Sequence, residues 1–252
     1  MKSKEEWKVY GNVFSKHSFE ILFNLSSQGY FEELESTISV GKEANIFSAT
    51  TKHNDRIIAK IYRLENCNFS KMYEYLSNDP RYISVKHKTR LLVFSWVQRE
   101  YKNLLIARTA IKVPKPIAFK DNILLMQFIG ESDPAQMLKD AKLSNPKTMF
   151  KKILSNIKKL FDKGLIHADL SAFNILVDND EPIFIDFSQS VPKTSDNARE
   201  FLKRDIKNIC SFFRKYFEIS DIEEMEIFNS IIKPTASTKS NTLKTPKKSS
   251  LL

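Results

Sequence analysis

The sequence predicts an α+β fold of two lobes, a small lobe rich in strands followed by a mostly helical lobe. Apolar runs with strand composition concentrate in residues 36–129, whereas apolar residues in residues 130–220 mostly recur with helical spacing. Glycine occurs only 5 times in the 252 residues. Gly130 directly follows an apolar strand-like run, so it marks the junction of the two lobes. This segregation of strands and helices is typical of α+β proteins.

The composition excludes several classes of protein. Apolar residues make up 42% and charged residues 28%, as in ordinary globular chains. No apolar run approaches the roughly 18 residues that a membrane span requires, and the first residues hold no apolar signal core. The 2 cysteines are too few for a disulfide framework or a four-cysteine zinc site. We therefore expect a cytoplasmic protein without a membrane partner.

The first segment, residues 1–35, is predicted to be helical and to pack on the N-terminal lobe. Apolar residues follow helical spacing from Phe19 to Leu25 and again from Tyr30 to Leu34. Gly29 lies between the two groups and is expected to end one helix before a short second helix.

Residues 36–129 form the predicted N-terminal lobe. The runs 45–50 and 56–62 flank a polar turn and indicate a hairpin, with Lys60 near the end of its second strand. A long helix is expected over residues 89–110, and Glu100 interrupts its apolar face. Because an inward-facing lysine and an acid on a buried face each need a partner, we expect Lys60 and Glu100 to pair. The alternative is a rotated helix that exposes Glu100.

Residues 130–220 form the predicted C-terminal lobe. Asn145 and Pro146 are a suitable cap and first-turn pair for a helix that ends at Lys163. Two short apolar runs follow, and Asp196 is expected to cap a last helix that reaches about Phe217.

The short runs place polar side chains together. If residues 175–177 and 183–185 pair as an antiparallel hairpin, Asn174 and Asp186 lie at the same open end, and Asp169 lies on the loop that leads there. Oxygen ligands of this kind suit Mg²⁺ and phosphate. Phosphoryl transfer needs groups that hold metal on the phosphates and a carboxylate that orients the attacking hydroxyl. The alternative is that these residues only shape turns.

Three motifs carry a resemblance to a known family. H-A-D-L-S-A-F-N (167–174), I-D-F-S-Q-S-V (185–191) and I-S-V-G-K-E-A-N-I-F (38–47) resemble the RIO family of atypical serine/threonine protein kinases, in its type-1 branch. The resemblance extends over about residues 12–217. The type-2 branch would carry a winged-helix domain ahead of the glycine loop, for which some 35 residues are too few.

The resemblance implies a protein-kinase-like fold whose C-terminal lobe is truncated and lacks an activation segment. It implies that Asp169 and Asp186 are catalytic, that Asp186 transiently accepts phosphate, and that Asn174 and Asp186 hold Mg²⁺ or Mn²⁺. Asp205 resembles a position that braces the catalytic loop. The ATP-binding residues are then those of the glycine loop, the lysine strand with its acidic partner, and the hinge: Val40, Gly41, Lys42, Glu43, Lys60, Glu100, Gln127 and Ile129. The family usually has threonine where Val40 stands, which removes one hydroxyl contact to the nucleotide.

The formal net charge of +10 is unevenly distributed. Residues 233–252 hold 5 lysines and no acid, and we expect a disordered basic tail there. The segment from Lys86 to Lys115 holds 8 basic residues and Glu100 as its single acid. This excess indicates a polyanion such as RNA, and the alternative is a solvated surface without such a partner.

The leading hypothesis is an ATP-dependent protein kinase or ATPase. The resemblance implies that it acts on the maturing small ribosomal subunit and its rRNA, with a possible protein substrate. One alternative is a small-molecule phosphotransferase of the aminoglycoside or choline class, and another is a non-catalytic RNA-binding scaffold. The sequence leaves the phosphate acceptor open, as well as the choice between ATP hydrolysis and protein phosphorylation.

Overall fold

A computed structural model describes residues 14–65, 68–77, 79–82 and 88–234. The first part of the predicted N-terminal segment, Cys67, Lys86 and most of the basic tail lie outside these described residues.

The elements of the N-terminal lobe are α1 (Lys16–Ser27), β1 (Glu33–Val40), β2 (Ala44–Thr50), β3 (Arg56–Tyr62), α2 (Phe69–Ser77), α3 (Thr89–Ala107), β4 (Pro116–Lys120) and β5 (Ile123–Gln127). The strands form a 5-stranded antiparallel sheet in the order β1-β2-β3-β5-β4. Helix α1 covers one face of this sheet, and α3 lies on the other face and packs with α2.

The alternation of side chains along β3 determines which residues face α1. Ile57, Ala59 and Ile61 pack with α1 in one hydrophobic core. Because successive side chains of a strand point to opposite faces, Lys60 and Tyr62 project from the other face, toward α3. Tyr62 belongs there to a second core, which continues into the C-terminal lobe.

The predicted short helix after Gly29 is wrong. Strand β1 begins at Glu33 and pairs with β2, while Phe31 and Leu34 are buried in the core beneath α1. A helix of so few residues leaves most of its backbone groups unpaired, so it is marginal in isolation. Pairing with the edge of β2 satisfies these groups and keeps both side chains buried.

The described part of the C-terminal lobe consists of three longer helices and short strand pairs. The elements are β6 (Gln136–Met137), α4 (Pro146–Asp162), β7 (Leu165–Ile166), β8 (Ile175–Asp178), β9 (Glu181–Phe184), β10 (Val191–Pro192), α5 (Ala198–Phe213) and α6 (Asp221–Ile232). Strand β7 pairs with β10, and β8 pairs with both β6 and β9.

The helix ends agree with the sequence prediction at one helix and differ at another. Asn145 caps α4, because its side chain accepts a hydrogen bond from the Thr148 backbone N–H (2.9 Å). Asp196 does not cap α5, which begins after Asn197 and ends at Phe213 rather than near Phe217. The cap prediction was therefore wrong at α5.

Helix α6 was not predicted, although its start carries a capping box. The Ser220 side chain accepts from the Glu223 backbone N–H, and the Glu223 carboxylate accepts from the Ser220 backbone N–H. Phe228 and Ile231 anchor the helix in the larger core. Among the described helices, none has both the length and the apolar character needed to cross a membrane.

We predict that Asn122→Ala lowers the free energy of unfolding by about 1–3 kcal/mol. The Asn122 side chain is fully buried and donates to Ser18 Oγ (2.8 Å) and to the Tyr62 carbonyl (2.7 Å), so it ties α1 to the sheet. Urea unfolding measures the loss, with Asn197→Ala as control because the exposed Asn197 side chain makes no cap hydrogen bond. Equal effects of the two substitutions would contradict this role.

Candidate functional site

A cleft of about 280 Å³ separates the N-terminal sheet from the β8–β9 hairpin. Its walls are largely apolar, with Ile46 and Ile58 from the sheet and Leu176 from the hairpin. Predicted site residues from both lobes also line it, namely Lys60, Gln127, Ile129, Asn174 and Asp186.

A buried ion pair lies at the side of this cleft. Lys60 Nζ is 2.8 Å from Glu100 Oε1, and the two side chains expose only 6% and 0% of their surface. The Tyr62 hydroxyl donates to Glu100 Oε2 (2.5 Å), so both oxygens of this carboxylate have partners. Lys60 Nζ also lies 3.1 Å from Asp186 Oδ1. One lysine therefore joins an acid from α3 to an acid that follows β9.

The charges of this cluster shift one another's pKa. Burial alone would lower the pKa of Lys60, but the Asp186 and Glu100 carboxylates raise it above its ordinary value. Burial raises the pKa of Glu100 against the opposing effect of Lys60. Burial would also raise the pKa of Asp186, yet Lys60 and the Ser188 hydroxyl lower it to about 2. Asp186 is therefore a carboxylate at neutral pH.

The β8–β9 hairpin places Asn174 and Asp186 at one end, as the spacing predicts. Ile175 pairs with Phe184, and the Ile185 backbone N–H donates to the Asn174 carbonyl (3.0 Å). The Asn174 amide group Nδ2 donates to the Asp169 carbonyl (2.8 Å) and to Asp169 Oδ2 (3.3 Å). The three residues of the predicted constellation are thus neighbours.

The oxygens at this end suit a hard divalent cation. Lys60 and Ser188 contact Asp186 Oδ1, which leaves Oδ2 without a hydrogen bond among the described residues. Asn174 likewise keeps its side-chain oxygen, because its contacts use the nitrogen. No group of three or more His, Cys, Asp or Glu side chains in the described part of the chain could hold a metal by itself. Two protein oxygens completed by phosphate oxygens match the way Mg²⁺ is commonly bound.

Asp169 is held from two sides. Its Oδ2 accepts from Asn174 and also from Gln189 Nε2 (3.2 Å). Burial, and next the charge of Asp186, raise the pKa of Asp169 above its ordinary value. A carboxylate with a raised pKa and one unengaged oxygen can accept a proton more readily than a fully hydrogen-bonded one.

The loop that carries Asp169 is strained and strongly supported. Ala168 has a φ of +65°, a left-handed conformation that costs a non-glycine residue about 1–2 kcal/mol. The Asp205 carboxylate accepts from the backbone N–H groups of Ala168 and Leu170 (both 2.8 Å), and Arg204 donates to the Ala168 carbonyl. Burial raises the pKa of Asp205 to about 7. Such strain persists only where surrounding contacts determine the conformation.

His167 directly precedes Ala168 in the same loop, and its side chain is buried. Its Nε2 lies 2.9 Å from the Ile185 carbonyl, and burial lowers its pKa to about 4. The imidazole is therefore neutral at physiological pH, and its hydrogen bond joins the start of the Asp169 loop to Ile185, the residue before Asp186.

The predicted glycine loop is the turn between β1 and β2. The Gly41 N–H donates to the Ala44 carbonyl (2.9 Å), and Val40 and Lys42 are exposed. Glu43 is half-buried, and burial raises its pKa. The loop residues Val40, Gly41, Lys42 and Glu43 do not line the cleft, where Ile38 and Ser39 stand instead.

The two predicted hinge residues differ in their backbone groups. The Gln127 N–H donates to the Lys115 carbonyl (2.8 Å), so this group is not available to a nucleotide. The Ile129 N–H has no hydrogen-bond partner among the described residues, while its carbonyl accepts from Ala135 (2.9 Å). Gly130 follows with a φ of +133°, and a Cβ there would lie 2.1 Å from the Asp133 carbonyl oxygen. Only glycine fits this position.

Some residues of the site were not predicted from the sequence. Tyr62 was missed, although it stands two residues after Lys60 in β3 and therefore projects from the same face of the strand. Asn103 was also missed, although it interrupts the apolar side of α3 one turn after Glu100. Arg99 was counted among the 8 basic residues of the segment from Lys86 to Lys115, but its side chain is fully buried and contributes nothing to surface charge.

The chain is similar in sequence to known proteins over most of its length. Residues 45–226 match the RIO domain. The chain is 36% identical to the RIO-type serine/threonine-protein kinase Rio1 of Haloferax volcanii, over 85% of this chain and 75% of that protein. It is 39% identical to the Rio1 kinase of Methanocaldococcus jannaschii, over 84% and 73%.

A solved structure has the same fold. The Rio2 kinase of Chaetomium thermophilum, in its ADP/Mg²⁺-phosphoaspartate complex, superposes with a TM-score of 0.65 at 22% identity, over 86% of this chain and 67% of that chain. The relatives named Rio1 confirm the predicted family and its type-1 branch, and the kinase-like fold is confirmed as well. The chain belongs to the RIO family of atypical serine/threonine protein kinases.

Proposed function

We propose that this chain transfers the γ-phosphoryl group of ATP with the help of Mg²⁺, through the residues of the cleft. One observation carries the proposal most directly: Lys60 contacts Glu100 (2.8 Å) and Asp186 (3.1 Å) at once, beside Asn174 and Asp169. A lysine fixed by an acid on a helix, next to metal-holding oxygens, is the arrangement that positions nucleotide phosphates in kinases. A non-catalytic RNA-binding scaffold would require none of these contacts.

In this proposal the base of ATP lies between the apolar walls of the cleft. Ile46 and Ile58 would contact one face of the base and Leu176 the other. The unpaired N–H of Ile129 would donate to the base at the hinge. Lys60 would then contact the phosphates, where its raised pKa keeps it charged.

Asn174 and Asp186 would hold Mg²⁺ or Mn²⁺ through the side-chain oxygens that no described residue engages. The bound cation would neutralise charge on the phosphate oxygens and so favour transfer. Asp186 would in addition keep its contact with Lys60, which maintains the carboxylate in its charged form.

Asp169 would orient the hydroxyl of the acceptor and accept its proton. As the acceptor oxygen forms a bond to the γ-phosphorus, the bond to the β,γ-bridging oxygen breaks and ADP leaves with the electron pair. Asn174 and Gln189 hold the Asp169 carboxylate during this step.

The Rio2 structure is described as a phosphoaspartate complex, and by analogy we propose that Asp186 accepts the phosphoryl group transiently before water releases it.

We also propose that a maturing small ribosomal subunit, through its rRNA, is the partner. Two features support this proposal. One is the pair of exposed residues Lys88 and Arg90, and the other is a groove of about 760 Å³ next to the hinge residues Gln127 and Ile129. Its basic lining residues are Arg108, Lys112, Lys115 and Lys159, and its acids are Asp178 and Glu181. The basic excess suits a phosphate backbone.

We predict that Asp169→Ala slows phosphoryl transfer by about 10²–10⁴-fold while nucleotide affinity stays nearly unchanged. The reason is that Asp169 would act on the acceptor rather than on bound ATP. Single-turnover transfer of radiolabelled phosphate and separate ATP titrations measure the two quantities. Asp140→Ala is the control, because Asp140 is exposed and its ion pair with Lys139 contributes little. Parallel losses of affinity and rate would show instead that Asp169 is a ground-state contact.

For the partner, we predict that reversing the charges of Arg108, Lys112 and Lys115 to glutamate weakens binding to small-subunit particles and flattens its salt dependence. Each lost phosphate contact should reduce the slope of log affinity against log salt by about 0.7–0.9. Deleting residues 233–252 should act in the same direction, and both variants should keep basal ATP turnover. Reversal of Arg199, Lys203 and Lys207, all exposed on α5, is the matched control. A salt slope that neither variant changes would rule out this partner surface.

A further inference from the structure

A buried polar contact joins α3 to the four residues that follow Asp186. Asn103 Nδ2 donates to the carbonyls of Phe187 (2.9 Å) and Ser190 (3.1 Å). Arg99 Nη1 donates to the Ser188 carbonyl (3.0 Å). Both side chains of α3 are fully buried. The segment 187–190, which we call the metal turn, is thus held to α3 through three of its carbonyl groups.

The orientation of these two side chains is itself fixed. Arg99 Nε donates to Asp79 Oδ2 (3.1 Å), and Arg81 also pairs with Asp79 (2.6 Å). Arg81 Nη1 donates to Asn103 Oδ1 (3.0 Å), so the Asn103 amide group must direct its nitrogen toward the metal turn. The buried charge of Arg99 is compensated by Asp79, whose pKa is held low by Arg81 against the effect of burial.

The side chains of the metal turn contact the catalytic groups. The Ser188 hydroxyl donates to Asp186 Oδ1 (2.7 Å), and Gln189 Nε2 donates to Asp169 Oδ2 (3.2 Å). The Ser190 hydroxyl donates to the His167 carbonyl (3.0 Å). Asp186 itself has a φ of +61°, a conformation that needs support from its surroundings. The position of the turn therefore determines where both carboxylates lie.

We infer that Arg99 and Asn103 are positioning residues that set metal affinity through the metal turn. The inference rests on the proposed role of Asp186 as a metal ligand. Because α3 also carries Glu100, the same helix orients Lys60, which would contact the phosphates, and Asp186, which would hold the metal. The helix thereby fixes the position of the lysine relative to that of the carboxylate.

The physical reason is the cost of unpaired carbonyl groups. Without the donors on α3, the buried carbonyl of Ser188 would lack its partner, and the Phe187 carbonyl would keep only the Ser190 backbone N–H (3.3 Å), unless the turn moved. Movement of the turn would let Asp186 relax from its left-handed conformation and would shift its free oxygen relative to Asn174. Contacts that orient ligands in this way commonly change metal affinity by about 10–100-fold.

The test measures Mn²⁺ binding in the presence of ADP, by the loss of the electron paramagnetic resonance signal of free Mn²⁺. Asn103→Leu removes both donors at similar size, and Arg99→Lys keeps the charge for Asp79 but loses the second arm of the guanidinium fork. Leu104→Ala is the matched control, since Leu104 is buried beside Asn103 on the same helix and belongs to the hydrophobic core. Asp186→Asn is the reference for loss of the ligand itself.

We expect Asn103→Leu to weaken Mn²⁺ binding about 10–100-fold and Arg99→Lys to weaken it less, whereas Leu104→Ala lowers the melting temperature without changing metal affinity. Wild-type affinity in Asn103→Leu and Arg99→Lys, with affinity lost in Asp186→Asn, would overturn this inference and leave the proposed function intact. Wild-type affinity in Asp186→Asn would overturn the proposed metal role itself.

Two further outcomes are decisive. If Leu104→Ala weakens metal binding as much as Asn103→Leu does, the effect is general destabilisation and the inference is wrong. If Asn103→Leu does not fold, Arg99→Lys decides: affinity reduced against the Leu104→Ala control supports the inference, and unchanged affinity overturns it.

Discussion

The contact between Lys60 and Glu100 is the interaction on which the rest of the site depends. Both side chains are almost fully removed from water, and removing one partner of such a pair commonly costs about 3–5 kcal/mol. The pair can form only if β3 presents Lys60 to α3 and α3 presents Glu100 to the sheet. The relative position of β3 and α3 is therefore determined by this ion pair as well as by apolar packing.

The same pair also connects the two lobes. Lys60 also contacts Asp186, so the N-terminal sheet is tied to the end of the β8–β9 hairpin. In the C-terminal lobe, Asp205 fixes the strained loop before Asp169 through two backbone N–H groups. Lys60 is thus positioned by a residue of α3 and the Asp169 loop by a residue of α5, whereas Asp186 is contacted by Lys60 of β3.

The sequence predicted those parts of the site that interrupt a simple pattern. A lysine in an apolar strand and an acid on an apolar helix face each need a partner, and the structure pairs Lys60 with Glu100. The hairpin register followed from two short apolar runs, and it brings Asn174 and Asp186 to one end. The resemblance to the RIO family added the roles of these residues, and the relatives confirm the family.

Other features depend on tertiary contacts that no local pattern encodes. The segment around Leu34 has apolar spacing that fits a helix, but it forms a strand because its backbone groups pair with the edge of β2. Arg99 was counted as surface charge because a basic residue is usually exposed, whereas Asp79, a residue distant in sequence, makes its burial possible. Helix α2 lies in a stretch of polar and aromatic residues for which no element was predicted, and its buried residues Met72 and Leu76 pack against the larger core.

The most direct measurement of the central claim is a double-mutant cycle on the buried pair. Unfolding free energies are measured in denaturant for wild type, Lys60→Met, Glu100→Gln and the double variant. If the pair organises the site, each single change should lower stability by about 3–5 kcal/mol, and the double variant should lose clearly less than the sum. Additive losses would contradict the account, because they would mean that Lys60 and Glu100 stabilise the protein independently of each other.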